Sequence, residues 1–122
     1  MELRIERWDH AGRLVELRLE GRLDRLGSAY LAARLRDALR GPLPAAVAVN
    51  LDQVACLDAV GMEGLLQAAR IAAEGGCRLV LVIQDTRVRG LLEGVGLTKL
   101  LVVLPDLQGV LAGCCPTAAT AA

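Results

Sequence analysis

The segment that most constrains the fold runs from residue 46 to residue 76 and reads AVAVNLDQVACLDAVGMEGLLQAARIAAEGG. It begins with a continuous apolar run, Ala46–Leu51, which lacks the polar alternation of a strand with one face in water. Such a run predicts a central strand that is covered on both faces. After a short loop, helical spacing places on one stripe Met62, Leu65, Leu66, Ala69, Ala72 and Ala73. A buried strand that leads into an amphipathic helix indicates an α/β fold.

Two alternating stretches precede this segment and predict a β-hairpin. Leu3 and Ile5 alternate with charged residues, and residues 15–19 alternate in the same way after a glycine-containing turn at residues 9–12. A period of two places one face of each strand on the core and the other in solvent. Two such strands around a short turn are typical of an antiparallel hairpin.

The rest of the chain adds further strands and helices. Leu31, Leu35 and Leu39 lie on one face of a first helix, for which Ser28 is the expected N-cap. Beyond residue 76 we expect a second central strand at 78–83, then a short helix that carries residues 88–95 and is capped by Asp85 or Thr86. A last strand at 99–104 and a last short helix at 106–112 complete the series.

This order of elements predicts a single α/β domain. A hairpin followed by alternating helices and strands gives a mixed, mostly parallel sheet of about five strands flanked by about four helices. A length of 122 residues fits one domain with one core. We expect this domain to span residues 1–113, and residues 114–122, CCPTAATAA, to form a disordered tail.

Charge and hydropathy argue against several classes of partner. Fourteen basic residues balance fourteen acidic residues, so no net charge attracts nucleic acid or an anionic membrane. No apolar stretch approaches the roughly 20 residues that span a bilayer, and the first residues, MELRIERWDH, do not resemble a secretory signal. We therefore expect a cytoplasmic protein that binds no nucleic acid and does not insert into a membrane.

No pattern of residues predicts an active site, a cofactor site or a metal site. His10 is the only histidine and lies in the expected hairpin turn, where an exposed side chain is the usual outcome. Ser28 has no histidine near it in the sequence, and no glycine-rich stretch has the spacing of a phosphate-binding loop. The cysteines and acidic residues lack the spacing of metal ligands. We expect a protein that is not an enzyme and holds no cofactor or metal.

The loop Asp58-Ala59-Val60-Gly61 is the strongest candidate for a binding site. It follows a central strand, at the carboxyl edge where open α/β sheets generally bind their ligands. The helix that starts there offers free N–H groups and the positive end of its dipole. Asp58 and Gly61 then have two interpretations. They form the frame of a binding loop, or they are a plain N-cap and a glycine required for packing.

Five short motifs share an order and spacing that is more informative than any of them alone. They are GRLD at 21–24, VNLD at 49–52, LDAVGM at 57–62, GGCRLV at 75–80 and VRGLLEGVGLTK at 88–99. In this arrangement the chain, over residues 3–111, resembles the STAS domain family, which includes bacterial anti-sigma factor antagonists. The resemblance implies a STAS-type α/β fold and a role in protein binding, signal transduction and transcription regulation.

The resemblance also implies which residues bind a partner. In antagonists of this family, the residue before the loop glycine is a Ser or Thr that the anti-sigma factor, itself a kinase, phosphorylates; the added charge disrupts the interface. Here Ala59 and Val60 occupy the two hydroxyl positions and cannot accept a phosphoryl group. The resemblance therefore implies no phosphorylation at this site. It implies partner binding through Asp24, Asp58, Ala59, Val60, Gly61, Met62 and Leu65.

Three functional hypotheses remain open. The first is an interaction module that resembles anti-sigma factor antagonists and binds an anti-sigma factor or kinase-like protein through Asp24 and residues 58–66. The second is a cytoplasmic STAS subunit of a phospholipid-transport ABC system, which binds its permease. The third is a domain that binds a nucleotide or small anion at the helix start, to which Val60 is less suited than a serine. The exposed edge of the hairpin also allows a weak homodimer.

Overall fold

Eight strands and helices form the fold in the part of the chain that the computed structural model describes, residues 2–10, 14–97 and 101–105. In chain order they are β1 (Arg4–His10), β2 (Leu14–Leu23), α1 (Arg25–Ala38), β3 (Ala46–Leu57), α2 (Ala59–Glu74), β4 (Arg78–Val82), α3 (Thr86–Gly94) and β5 (Val102–Leu104). The continuous apolar run begins β3, and the apolar stripe after it lies on α2, as their spacing indicated.

The five strands form one sheet in the order β1-β2-β3-β4-β5. β1 and β2 are antiparallel, with Ile5 opposite Leu19, whereas the other neighbouring pairs are parallel. A helix joins the two strands of each parallel pair, because a parallel connection must return the chain to the same end of the sheet. The N-terminal hairpin and the mixed, mostly parallel sheet of five strands are confirmed.

Both faces of the central strands are buried. Leu17, Val49 and Leu81 project to one face and pack in the main core with aliphatic side chains from all three described helices. Because successive strand residues point to opposite faces, their neighbours form a second buried cluster on the other face. This second cluster consists of Leu14, Ala46, Ala48, Val80 and Val82. Burial on both faces explains why the apolar run of β3 has no polar alternation.

A charged cluster also lies on the second face. Glu16 is only 1% exposed, and its carboxylate lies 2.8 Å from His10 Nε2, 3.1 Å from Arg18 Nε and 3.2 Å from Asn50 Nδ2. Burial acts to raise the pKa of the Glu16 carboxyl, but the hydrogen bonds from Arg18, His10 and Asn50 outweigh burial, so the pKa lies below its usual value. His10 is thus not an exposed turn residue: it ends β1 and is partly buried against Glu16.

The first helix begins one turn earlier than its apolar spacing indicated. α1 starts at Arg25, and its N-cap is Asp24, whose Oδ1 accepts the Gly27 N–H at 3.0 Å. The prediction of Ser28 as the cap is wrong. The first turn of α1 carries Gly27 and the exposed Leu26, so the repeating buried leucines, from which the helix was predicted, begin only after that turn. The N-cap of α3 is Asp85, one of the two residues expected.

Part of the predicted C-terminal region lies outside the described residues. Three helices are found within the described ranges, whereas the sequence indicated about four. The described residues do not include the expected fourth helix at 106–112, the beginning of the last strand at residue 99 or the tail at 114–122. The domain boundary at residue 113 therefore stays a prediction.

Candidate functional site

Three aspartates start the three described helices at one edge of the sheet. Asp24 follows β2, Asp58 follows β3, and Asp85 lies between β4 and α3. The side chain of each accepts a backbone N–H of the first helical turn, at 3.0 Å, 2.8 Å and 2.8 Å respectively. Because parallel strands end at the same edge, the three loops are gathered where α/β sheets commonly place their binding sites.

The loops of Asp24 and Asp58 are neighbours. The residues that precede them, Leu23 and Leu57, are paired in the parallel ladder between β2 and β3. Each aspartate satisfies a helix N–H group and places a negative charge at the positive end of the helix. The N-cap interpretation of Asp58 is therefore confirmed. A carboxylate in this position repels a second anion, so the start of α2 is poorly suited to an anionic ligand.

Gly61 allows α2 to start directly against the end of β2. A Cβ atom at this position would lie 2.0 Å from the carbonyl oxygen of Leu23, far inside van der Waals contact. Three residues further along α2, a Cβ on Gly64 would lie 2.2 Å from the Oγ of Ser28 on α1. The two glycines let α2 approach both the end of β2 and the side of α1, and this approach fixes the orientation of the loop.

The residues proposed from the sequence as partner contacts divide into a surface group and a supporting group. Asp58, Ala59 and Val60 are exposed, and the side chain of Val60 has 44% of its surface in solvent although it is apolar. Gly61 and Leu65 form the supporting group and are buried. Asp24 and Met62 lie between the two groups in exposure, since each is partly buried. Contact between these residues and a partner stays a prediction, and the exposed group is the part that a partner can reach without a change in the fold.

Two exposed apolar side chains near the loop were missed in the sequence. Leu26 is 81% exposed and Tyr30 is 42% exposed, one turn apart on α1. With Leu3 and Gly27 they line a cavity of about 350 Å³ beside the Asp24 cap. The signal was available, because Leu26 and Tyr30 fall outside the stripe of α1 that carries the buried leucines.

Asp52 connects the loop region to the next strand and helix. Its Oδ1 accepts the backbone N–H groups of Gln84 at 2.6 Å and Asp85 at 3.1 Å, beyond the point where β4 ends. Its own N–H donates to Asn50 Oδ1 at 3.0 Å. Arg87 adds a second link by donating to the carbonyl of Val54 at 3.0 Å. These contacts hold the far half of β3 in place, although neither sequence spacing nor charge pattern predicted them.

The described residues contain neither a metal-binding cluster nor a membrane-spanning helix. Within residues 2–10, 14–97 and 101–105, no three side chains of the His, Cys, Asp and Glu types come together as a metal site would need. None of the helices in the same ranges combines the length and the apolar character that crossing a bilayer requires.

Comparison with known structures places the fold among those of anti-sigma factor antagonists and related domains. An anti-sigma factor antagonist from Mycobacterium paratuberculosis is 20% identical, with a TM-score of 0.74 and coverage of 93% of this chain and 94% of that chain. A single-substitution variant of RsbS from Moorella thermoacetica is 18% identical, with a TM-score of 0.74 and coverage of 91% and 94%. A sulfate transporter family protein from Wolinella succinogenes is 21% identical, with a TM-score of 0.67 and coverage of 88% of each chain.

Comparison of the sequence with family models gives the assignment that these low identities alone do not. A comparison with curated proteins finds no match. The family model described as "Mlab, STAS domain" matches residues 7–104, which include all five strands, all three described helices and the candidate loop, apart from the first residues of β1. The resemblance seen in the five sequence motifs is thus confirmed, and the chain belongs to the STAS domain family.

Proposed function

We propose that this chain is a non-catalytic interaction module that binds a protein partner through the loop and helix start at residues 58–66, with Asp24 contributing from the adjacent loop. The observation that carries the proposal is the exposure of Val60, an apolar side chain, at the first turn of a helix whose start is rigidly built. Exposed apolar side chains on a fixed surface are a common feature of protein interaction sites.

The loop is preorganised for binding. The Asp58 cap and the contact of Gly61 with Leu23 hold its backbone in place, so little conformational entropy is lost when a partner binds. Ser28 supports the same loop from α1, since its hydroxyl donates a long hydrogen bond of 3.5 Å to the carbonyl oxygen of Val60. A rigid loop with an apolar tip favours a protein partner over a charged small ligand.

We propose that phosphorylation of this loop does not control binding. Ala59 and Val60 carry no hydroxyl group, and the nearby hydroxyl of Ser28 belongs to α1 and faces the carbonyl oxygen of Val60. Ser28 lies within α1 and not in the loop, so its hydroxyl does not occupy the position of the missing one. We therefore propose binding that is not switched by phosphorylation of this loop.

The preferred partner is a regulatory protein of the anti-sigma factor or kinase-like class, with a role in bacterial transcription regulation in the cytoplasm. The likeness to an anti-sigma factor antagonist structure, with a TM-score of 0.74, supports this choice together with the site geometry. The second candidate is a permease of a phospholipid-transport ABC system. The likeness to a sulfate transporter family protein favours this second candidate, because that protein has the same fold and belongs to a transporter family. A nucleotide or small anion fits less well, since Asp58 already places a carboxylate at the helix start.

Affinity purification from the native cell with the full chain as bait tests the proposal. The wild-type chain is compared with Val60→Asp and with Val95→Asp, which places the same substitution at an exposed valine at the end of α3. We expect one protein to be recovered with wild type and Val95→Asp and to be depleted with Val60→Asp. An anti-sigma factor or kinase would identify the first candidate and a permease the second. Equal recovery with all three chains would refute the site.

A further inference from the structure

A surface groove runs between α1 and α2, next to the loop. It has a volume of about 360 Å³, and its lining includes the small residues Ala29, Ala32 and Gly64 together with Val60. The close approach of Gly64 to Ser28 brings the two helices together, and the small side chains leave the outer part of their junction unfilled. The exposed apolar surface of the loop thus continues into a groove.

The walls of this groove carry unpaired charges of opposite sign. Arg25 and Arg36 line the α1 side and Glu63 lines the α2 side, and all three are exposed. Within the described residues none of the three has an ion pair, whereas Arg40 pairs with Asp37 near the C-terminal end of α1. An occupant would therefore complement the groove with acidic groups toward α1 and a basic group toward α2.

The geometry also indicates which backbone conformation fits. Arg25 and Arg36 are eleven residues apart, which is about three helical turns, so they project from the same side of α1 about 16 Å apart. The backbone groups of α1 and α2 are used in their own helices, and the groove offers no free strand edge to an extended peptide. A helix satisfies its backbone hydrogen bonds internally and needs no such edge.

We propose that the groove between α1 and α2 takes an amphipathic α-helix of the partner protein. Small apolar side chains of that helix lie against Ala29, Ala32 and Gly64, two acidic side chains face Arg25 and Arg36, and a basic side chain faces Glu63. Two acidic residues eleven positions apart on the partner helix match the spacing of the two arginines. This inference rests on the proposed function, since it describes how a partner that contacts Val60 extends along the surface.

A designed peptide tests the groove without knowledge of the partner. The probe is an alanine-rich helical peptide with two Glu eleven positions apart on one flank and Lys on the other; in the control peptide both Glu are replaced by Lys, so that neither direction of the helix places an acidic group on Arg25 and Arg36. Each is titrated into the ¹⁵N-labelled full chain and followed by NMR. We expect the probe to shift amide signals of α1 and α2 along the groove and to bind about tenfold or more tightly than the control peptide. Equal binding of both peptides, shifts elsewhere, or no shift at millimolar peptide would overturn the proposal.

Charge reversal in the chain gives the second arm of the test. The double variant Arg25→Glu with Arg36→Glu should lose preference for the probe and favour the control peptide. The matched variant Arg40→Glu with Arg78→Glu makes the same change in net charge outside the groove and should bind like wild type. With the natural partner, loss of binding in Val60→Asp but not in the groove double variant would refute the groove and leave the proposed function intact. Unchanged binding in both would refute both.

Discussion

Gly61→Ala tests whether the start of α2 is built as described. The added Cβ would lie 2.0 Å from the carbonyl oxygen of Leu23, whereas ordinary van der Waals contact begins near 3.4 Å. The obstructing atom belongs to the backbone of β2 and cannot rotate away as a side chain could. The first turn of α2 must therefore move by more than an ångström, which disturbs the contact that orients Val60.

The magnitude follows from two opposing terms. Overpacking of a tight site costs about 1–3 kcal/mol, and a clash with a backbone atom that cannot rotate away takes the upper part of this range, about 2–3 kcal/mol. Alanine is the better helix former by about 1 kcal/mol, which offsets part of this cost. We expect a net loss of about 1–2 kcal/mol in the free energy of unfolding, or a decrease in Tm of about 4–8 °C for a domain of this size.

Gly90→Ala is the matched control. Gly90 also lies within a helix, but a Cβ there would meet no atom within 4 Å. This substitution should raise stability by up to about 1 kcal/mol, because only the helix propensity changes. Urea unfolding of the three chains, followed by circular dichroism, measures both effects. If Gly61→Ala were as stable as wild type, or were stabilised as much as Gly90→Ala, the close packing of α2 on β2 would be refuted.

Three further predictions concern the cap, the buried carboxylate and the missing hydroxyl. Asp58→Ala should destabilise the chain by about 0.5–2 kcal/mol in urea unfolding because it removes the cap bond to Gly61, while Asp58→Asn should restore most of the loss. The pKa of the Glu16 carboxyl is lowered in the folded chain, so the ionised carboxylate should stabilise the fold fully above pH 4.5, the ordinary pKa, and this stabilisation should disappear as the pH falls through the pKa of the folded chain. Glu16→Gln should therefore flatten the dependence of stability on pH in that acidic range. An unchanged pH dependence would contradict the charged cluster around Glu16. Intact mass measurement should find no phosphate on the wild-type chain after incubation with ATP and the partner, whereas Val60→Ser should accept one phosphate if that partner is a kinase; stoichiometric phosphate on the wild-type chain would contradict the absence of a phosphorylation switch.

The sequence predicted features that depend on local spacing. The apolar run of β3, the stripe of α2 and the Asp58 cap are set by residues close together in the chain, so periodicity and capping preference were enough to find them. The mostly parallel sheet followed because alternating strands and helices have few ways to pack. The loop was found for the same reason, since it lies at the carboxyl end of a central strand.

Features that depend on distant contacts were not predicted. Glu16 alternates with apolar residues as a solvent-facing residue would, yet its side chain is buried because β2 lies beside β3 in the sheet. The Glu16 carboxylate makes hydrogen bonds with Asn50 and His10, which are distant in the sequence or lie on the neighbouring strand. The groove between α1 and α2 likewise depends on the approach of Gly64 to Ser28, which are 36 positions apart. No local pattern contains either relationship.

The affinity of the recovered partner for wild type, Val60→Asp and Val95→Asp tests the central claim most directly. Contact with a partner would bury the exposed part of the Val60 side chain, and a carboxylate in its place would lose that apolar contact and be desolvated. We predict a dissociation constant at least about tenfold higher for Val60→Asp, measured by isothermal titration calorimetry, with both variants folded and Val95→Asp equal to wild type. An unchanged dissociation constant for a folded Val60→Asp chain would contradict the claim that this loop is the binding site.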